Sequence, residues 1–171
     1  GDSVSKTFAD TFMEAAAESG VSPYHLASRV KQEVVTSNGL SNSASGIVSG
    51  FEGIYNFFNI GANDSSIPGQ NIINGLTFAK TGNKLAQADK DYYLLPWNNQ
   101  YRAIVGGSKY IGSTYINRGQ DTVYLQKFNV TSYNRYYHQY MSNVEAAKAE
   151  AQKMYTAYKG MDSQQITFSI P

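Results

Sequence analysis

In the run Leu26 to Val35, LASRVKQEVV, a carboxylate stands where helical spacing calls for a core residue. Each helical residue turns the chain by about 100°, so Glu33 returns to within about 20° of Leu26, flanked by Val30 and Val34. A carboxyl group drawn partly out of water is favoured in its neutral form. A neutral carboxylic acid can give its proton to a leaving group, which is general-acid chemistry. The competing reading is a structural glutamate paired with Lys or Arg at the edge of the stripe, and spacing alone leaves both open.

Two further acids could work with it. Glu52 and Asp64 bracket GIYNFFNIGAN, an aromatic and asparagine-rich segment. Its amides, Asn56 and Asn59, offer donors and acceptors, and its rings, Tyr55 and Phe58 among them, offer stacking faces. That set suits a polyhydroxylated, N-acetylated ligand, and it equally suits a well-satisfied turn in a core. Glu14, Glu18, Glu145 and Glu150 fall in ordinary solvated helical patterns, while Asp89 and Asp91 read as loop or cap residues.

Helices must position these groups. Val4–Ser19 places Val4, Phe8, Phe12 and Ala15 on one face, and Gly20 then supplies the left-handed residue that commonly ends a helix. Ser22-Pro23 is a start signal, with Ser as N-cap and Pro at the first helical position. Val21 and Leu26 form a candidate hydrophobic staple. Thr36–Gly53, rich in Ser, Asn and Gly, predicts a long loop or a poorly regular hairpin. Asn71–Ala79 and Trp97–Tyr115 carry helical spacing, and Gly106, Gly107 and Gly112 would let another backbone approach the second of these. Ser142-Asn-Val-Glu145 is a capping box before a last helix, and the tail QQITFSIP reads as a short edge strand.

Composition removes several classes of function. The 171 residues suit one compact domain, 1–171. The opening GDSVSKT reads as the edge of a domain cut from a longer protein. There is no cysteine, hence no disulfide, thiol nucleophile or thiolate metal site. Two histidines, His25 and His138, give little material for a metal centre or a Ser-His-Asp triad, so no metal or cofactor is expected. A formal charge of +1 with scattered basic residues gives no footprint for nucleic acid. No apolar run reaches membrane-spanning length. Fourteen tyrosines, eight phenylalanines and one tryptophan are the anomaly, and they suit partly wet surfaces that stack flat ligands such as sugars.

Four blocks carry a resemblance: VKQEV, YNFFNIGA, AIVGGSKYIGSTYINRGQDTVYLQKFNV and HQYMSNV. Their order and approximate spacing, over about Pro23 to Glu145, are similar to those of glycoside hydrolase family 73. These are the endo-β-N-acetylglucosaminidase domains of bacterial cell-wall autolysins. The resemblance implies a mainly helical, lysozyme-like α+β fold with a small β lobe and a long cleft. It implies hydrolysis of the β-1,4 bond after N-acetylglucosamine in peptidoglycan by a secreted, wall-associated monomer.

The family's general acid falls on Glu33. The tyrosine of its YATD-like motif falls on Tyr140, and Asn143 stands where the motif usually has Asp, which leaves that position able to cap a helix but without charge. Glu52 is the leading second carboxylate. A base on the far sugar face would stand about 6.5–9.5 Å from the acid and invert configuration. Alternatively the substrate's own acetamido oxygen attacks, configuration is retained, and Tyr140 orients the acetamide or the water. Tyr55, Phe58, Trp97 and Tyr140 are the expected sugar contacts, with Asn56 and Asn59 as polar partners. The alternatives are a muramidase or lytic transglycosylase on the same glycan, or a non-catalytic wall-binding module using the same aromatics.

Overall fold

A computed structural model describes residues 6–37, 39–140 and 143–159. The chain divides into two compact units, Gly1–Tyr110 and Ile111–Pro171. The expected class holds: mainly helical, with a small antiparallel β portion.

The first unit opens with α1, Phe8–Ser19, whose start is a capping box that the sequence reading passed over. Thr7 Oγ1 accepts from Asp10 N, and Thr7 N donates to Asp10 Oδ2. Gly20 ends the helix at φ 70°, as its position predicts. Helix α2, Pro23–Val34, starts at the expected proline, but Ser22 makes no side-chain cap and only its carbonyl bonds forward, to Leu26 N. The predicted loop after α2 is in part a hairpin. β1, Val35–Thr36, pairs antiparallel with β2, Gly39–Leu40, and a single turn of helix, α3 (Asn42–Ser45), follows. The ribbon is two residues deep, and Thr36 Oγ1 donates across it to Gly39 O.

Helix α4, Gln70–Thr81, runs longer than the predicted stretch, and α5, Gln87–Tyr92, occupies ground expected to be loop, so Asp89 and Asp91 are helical. Helix α6, Gln100–Thr114, starts three residues after Trp97. Gly106 admits another backbone as expected, whereas Gly107 admits a side chain. A Cβ on Gly106 would lie 2.0 Å from Tyr93 O and 2.6 Å from Trp97 Nε1, and one on Gly107 would lie 2.5 Å from Phe58 Cδ2. The core beside them is aromatic: the Phe78 ring meets Trp97 and Tyr110 edge-on at 5.7 and 5.4 Å, and Tyr93 meets Tyr110 at 5.1 Å.

The second unit contains a short 3-10 turn, Ile116–Arg118, then α7 (Val123–Phe128) and α8 (Ala146–Tyr158). Its centre is the wholly buried Gln120. Gln120 Nε2 donates to the carbonyls of Leu125 and His138, and Gln120 Oε1 lies 2.7 Å from His138 Nδ1. An amide oxygen only accepts, so His138 carries its proton on Nδ1 in this arrangement. Asn143 Oδ1 accepts from Glu145 N ahead of α8, but Glu145 is the N-cap residue and no side chain caps the helix, so the cap expected of Asn143 is not made. Glu150, expected to be solvated, is buried. The Ser142 capping box and the QQITFSIP strand lie outside the described residues.

Candidate active site

The last turn of α2 brings Glu33 to the head of the β ribbon. Leu26, Val30 and Val34 are buried beside it, so the stripe read from the spacing exists. The side chain of Glu33 is 22% exposed, enough to meet a ligand. Its surroundings are polar and include the basic partner of the competing reading. Arg29, one turn earlier on the same helix and 1% exposed, places Nη2 3.4 Å from Glu33 Oε1. On the other side Asn59 Nδ2 donates to Glu33 Oε2 at 3.1 Å and to the Glu33 carbonyl at 3.2 Å. One carboxyl oxygen therefore accepts from Asn59 and the other faces the Arg29 charge, in a side chain that stays partly exposed.

Asn59 reaches this position because its backbone is left-handed, φ 50°, a region that asparagine tolerates better than most residues. The turn carrying it is built by Asn56. Asn56 Nδ2 donates to the carbonyls of Ile60 (2.8 Å) and Gly75 (2.9 Å), and Asn56 Oδ1 accepts from Ile60 N. Its own N–H donates to Ser43 O, and Tyr55 N donates to Trp97 O. The turn is thus bolted to α3, α4 and the segment before α6, and Glu33 inherits its rigidity through Asn59.

Several expected sugar contacts prove to be framework instead. Asn56, Phe58 and Trp97 are buried and have no face to offer a ligand. Trp97 Nε1 donates to Tyr93 O at 2.8 Å, which satisfies the indole inside the core. The physical reason is the glycines: Gly106 and Gly107 open space on α6 that Trp97 and Phe58 fill. Tyr55 is half-buried, lies over Gly46 and stacks on Phe57 at 6.3 Å. Asn59 is half-buried and donates its amide to Glu33.

Glu52 is an exposed acid in a tight turn. Hydrogen bonds from its own N–H and from Gly50 N, the latter at 3.1 Å, hold its carboxyl below the ordinary range. Asp64 is exposed on the chain before α4. An open hollow of about 570 Å³, with Lys6, Phe8, Asn99, Gln100 and Tyr101 in its wall, includes none of the expected site residues.

His25 stands one turn before Arg29 on α2. Burial, reinforced by the Arg29 charge, pushes its imidazole down to about 4. The side chain that sequence reasoning did not name is Arg29, legible as the basic residue at i−4 from Glu33. Asn56 was named with two readings, and the well-satisfied turn is the one found, with a partner, Gly75, nineteen residues away.

In the second unit Tyr140 is fixed by the same glutamine core. Gln126 Nε2 donates to Gln120 O, and Tyr140 N donates to Gln126 O at 2.8 Å. The Tyr140 ring meets Tyr115 edge-on at 5.0 Å, and Tyr115 stacks on His138 at 4.4 Å.

Comparison with known proteins agrees with the expected kinship. No family model matches the chain. A β-N-acetylglucosaminidase of Bacillus subtilis (strain 168) is 30% identical over 95% of this chain, which covers 16% of that protein. A bifunctional autolysin of Staphylococcus epidermidis is 28% identical over 94% of the chain, which covers 11% of it. The chain thus spans about a sixth or less of these curated relatives. Among solved structures, S. aureus Autolysin E is 30% identical with a TM-score of 0.61, the match covering 89% of this chain and 59% of that one. It was solved as a catalytic mutant with a glutamate changed to alanine, in complex with the disaccharide NAG-NAM.

Proposed function

We propose that the chain is the glucosaminidase domain of a secreted, wall-associated autolysin, cleaving the β-1,4 bond after N-acetylglucosamine in peptidoglycan. The observation that carries this reading is Glu33: a partly exposed carboxyl group, hydrogen-bonded by Asn59 and faced by Arg29, in a chain similar along almost its whole length to an N-acetylglucosaminidase. A proton donor must reach the glycosidic oxygen and be held in one orientation while it does so. Partial exposure supports the first requirement, and Asn59 supports the second. The Arg29 guanidinium stabilises the carboxylate that forms as the proton departs.

The acetamido group of the substrate serves as the nucleophile in this reading. Its oxygen bonds to the anomeric carbon as the bond to the leaving oxygen breaks and Glu33 supplies that oxygen's proton. Water then attacks the anomeric carbon, the bond to the acetamido oxygen breaks, the water's proton passes to the Glu33 carboxylate, and configuration is retained. Supporting this over a base at Glu52 is the occupation of the Glu52 carboxyl by backbone N–H groups of its own turn. The role of Tyr140, orienting the acetamide or the water, rests on its place in the motif.

Purified walls incubated with the chain should release new N-acetylglucosamine reducing ends, with the β anomer formed first, and Glu33→Gln should lose this activity while keeping its fold. Muramic acid or anhydro-muramic ends would move the cut to the other linkage. Near-normal turnover by Glu33→Gln would end the assignment.

A further inference from the structure

The second unit carries a concentration of aromatic side chains that the hydrolytic reading does not use. Thr122 to Gln139 contains four tyrosines, Phe128, Lys127 and Arg135, and no Asp or Glu. The middle of this stretch is a loop after α7, fastened by one buried asparagine. Asn129 Nδ2 donates to the carbonyls of Tyr133 (2.9 Å) and Asn134 (2.7 Å). Its Oδ1 accepts from Thr131 Oγ1, and its carbonyl accepts from Tyr136 N. Three non-glycine residues here have left-handed backbones, Asn129, Asn134 and Tyr136 at φ 34°, 46° and 72°. Asparagine accepts that region readily; a bulky tyrosine in it is an outlier, kept only where neighbouring bonds over-determine it.

What this framework holds out is not core. Tyr133, Tyr136 and Tyr137 are 42%, 63% and 89% exposed. Cations stand beside the rings. Arg118 Nη1 donates to Tyr133 Oη at 2.6 Å with its guanidinium 4.8 Å from the ring centre, and the Arg135 guanidinium lies 6.0 Å from the Tyr136 ring. Rings presented to water on a pinned backbone require little ordering of that backbone when a ligand docks. Two cations are too few to track a nucleic-acid backbone. Phenol rings with polar tips match a wet, hydroxyl-bearing surface better than a lipid one.

We propose that this loop is an accessory surface for the carboxylate-bearing glycan strands of the cell wall. Tyr136 and Tyr137 stack on sugar rings, and Arg118 and Arg135 meet carboxylates of the attached peptides. The inference rests on the peptidoglycan reading above, and it concerns retention on the insoluble polymer rather than bond cleavage.

The test is co-sedimentation with purified walls stripped of phosphate-bearing polymers, in a Glu33→Gln background so that binding is not obscured by digestion. The parent is compared with a Tyr136→Asn/Tyr137→Ser variant, asparagine being chosen because it tolerates the left-handed backbone. The apparent Kd should rise about tenfold, the size expected for losing central aromatic contacts. Melting temperature should not change. With Glu33 intact, turnover of a short soluble N-acetylglucosamine oligomer should not change either. Retention equal to the parent overturns the proposal. An equal loss on carboxylate-coated beads lacking sugar, or a matching fall in soluble turnover, overturns it as well. Soluble turnover by the unmodified chain reports on hydrolysis alone, so a failure of the hydrolase reading is visible there whatever the walls retain.

Discussion

Replacing Asn59 by glycine removes one amide and leaves the backbone almost undisturbed, because glycine adopts φ 50° at no steric cost. Two hydrogen bonds disappear, at 3.1 Å to Glu33 Oε2 and at 3.2 Å to the Glu33 carbonyl. Glu33 becomes charged as its proton departs, and a hydrogen bond to a charged group contributes about 1.5–3 kcal/mol. With the Glu33 side chain 22% exposed, water takes up part of that loss, so the lower end applies. About 1.5 kcal/mol, lost from stabilising the carboxylate that forms in the transition state, corresponds to roughly a tenfold fall in kcat. KM should stay within about twofold, since in this account Asn59 holds the acid and not the sugar. The assay is release of reducing ends from a soluble glycan across a range of concentrations. In a Glu33→Gln background the same change should cost nothing further, because residues acting through one group are not additive. A kcat within twofold of the parent, with Glu33→Gln inactive, would refute the reasoning.

Two further outcomes follow from the fold. Gly106→Ala drives a methyl group to 2.0 Å from Tyr93 O and 2.6 Å from Trp97 Nε1, breaking the bond between them. Thermal denaturation should show a loss of about 3 kcal/mol, or several degrees or more in Tm for a chain of this size. For His25 the folded pKa, about 4, lies below the ordinary 6.5, so the unfolded chain takes up its proton first as pH falls. Stability is fully present above about pH 6.5 and should decline between 6.5 and 4, by about 2–3 kcal/mol from this group. Urea midpoints across that range check it, and His25→Gln should flatten the slope.

Much of the helical skeleton was legible locally. Gly20 and Pro23 delimit α1 and α2 where their backbone preferences say they should, and the Leu26–Val30–Val34 stripe is buried. Helix α5 escaped because its six residues, QADKDY, bury none of their side chains and so leave no periodic signal. The role of Trp97 was misread for a related reason. Exposed and buried aromatics look identical in a sequence, and what decides between them is the space opened by Gly106 on another element.

The candidate site divides along the same line. Glu33, its place near a helix end and the basic residue one turn before it are properties of neighbouring positions, so the chain's own order determined them. The grip of Asn59 on Glu33 spans twenty-six residues, and the Asn56 bonds that aim it reach Ser43 and Gly75. Tertiary structure alone decided those, because an amide's partner is whichever unsatisfied group the packed core brings within about 3 Å. Whether an asparagine in YNFFNIGA meets a sugar or steadies an acid was therefore settled by packing.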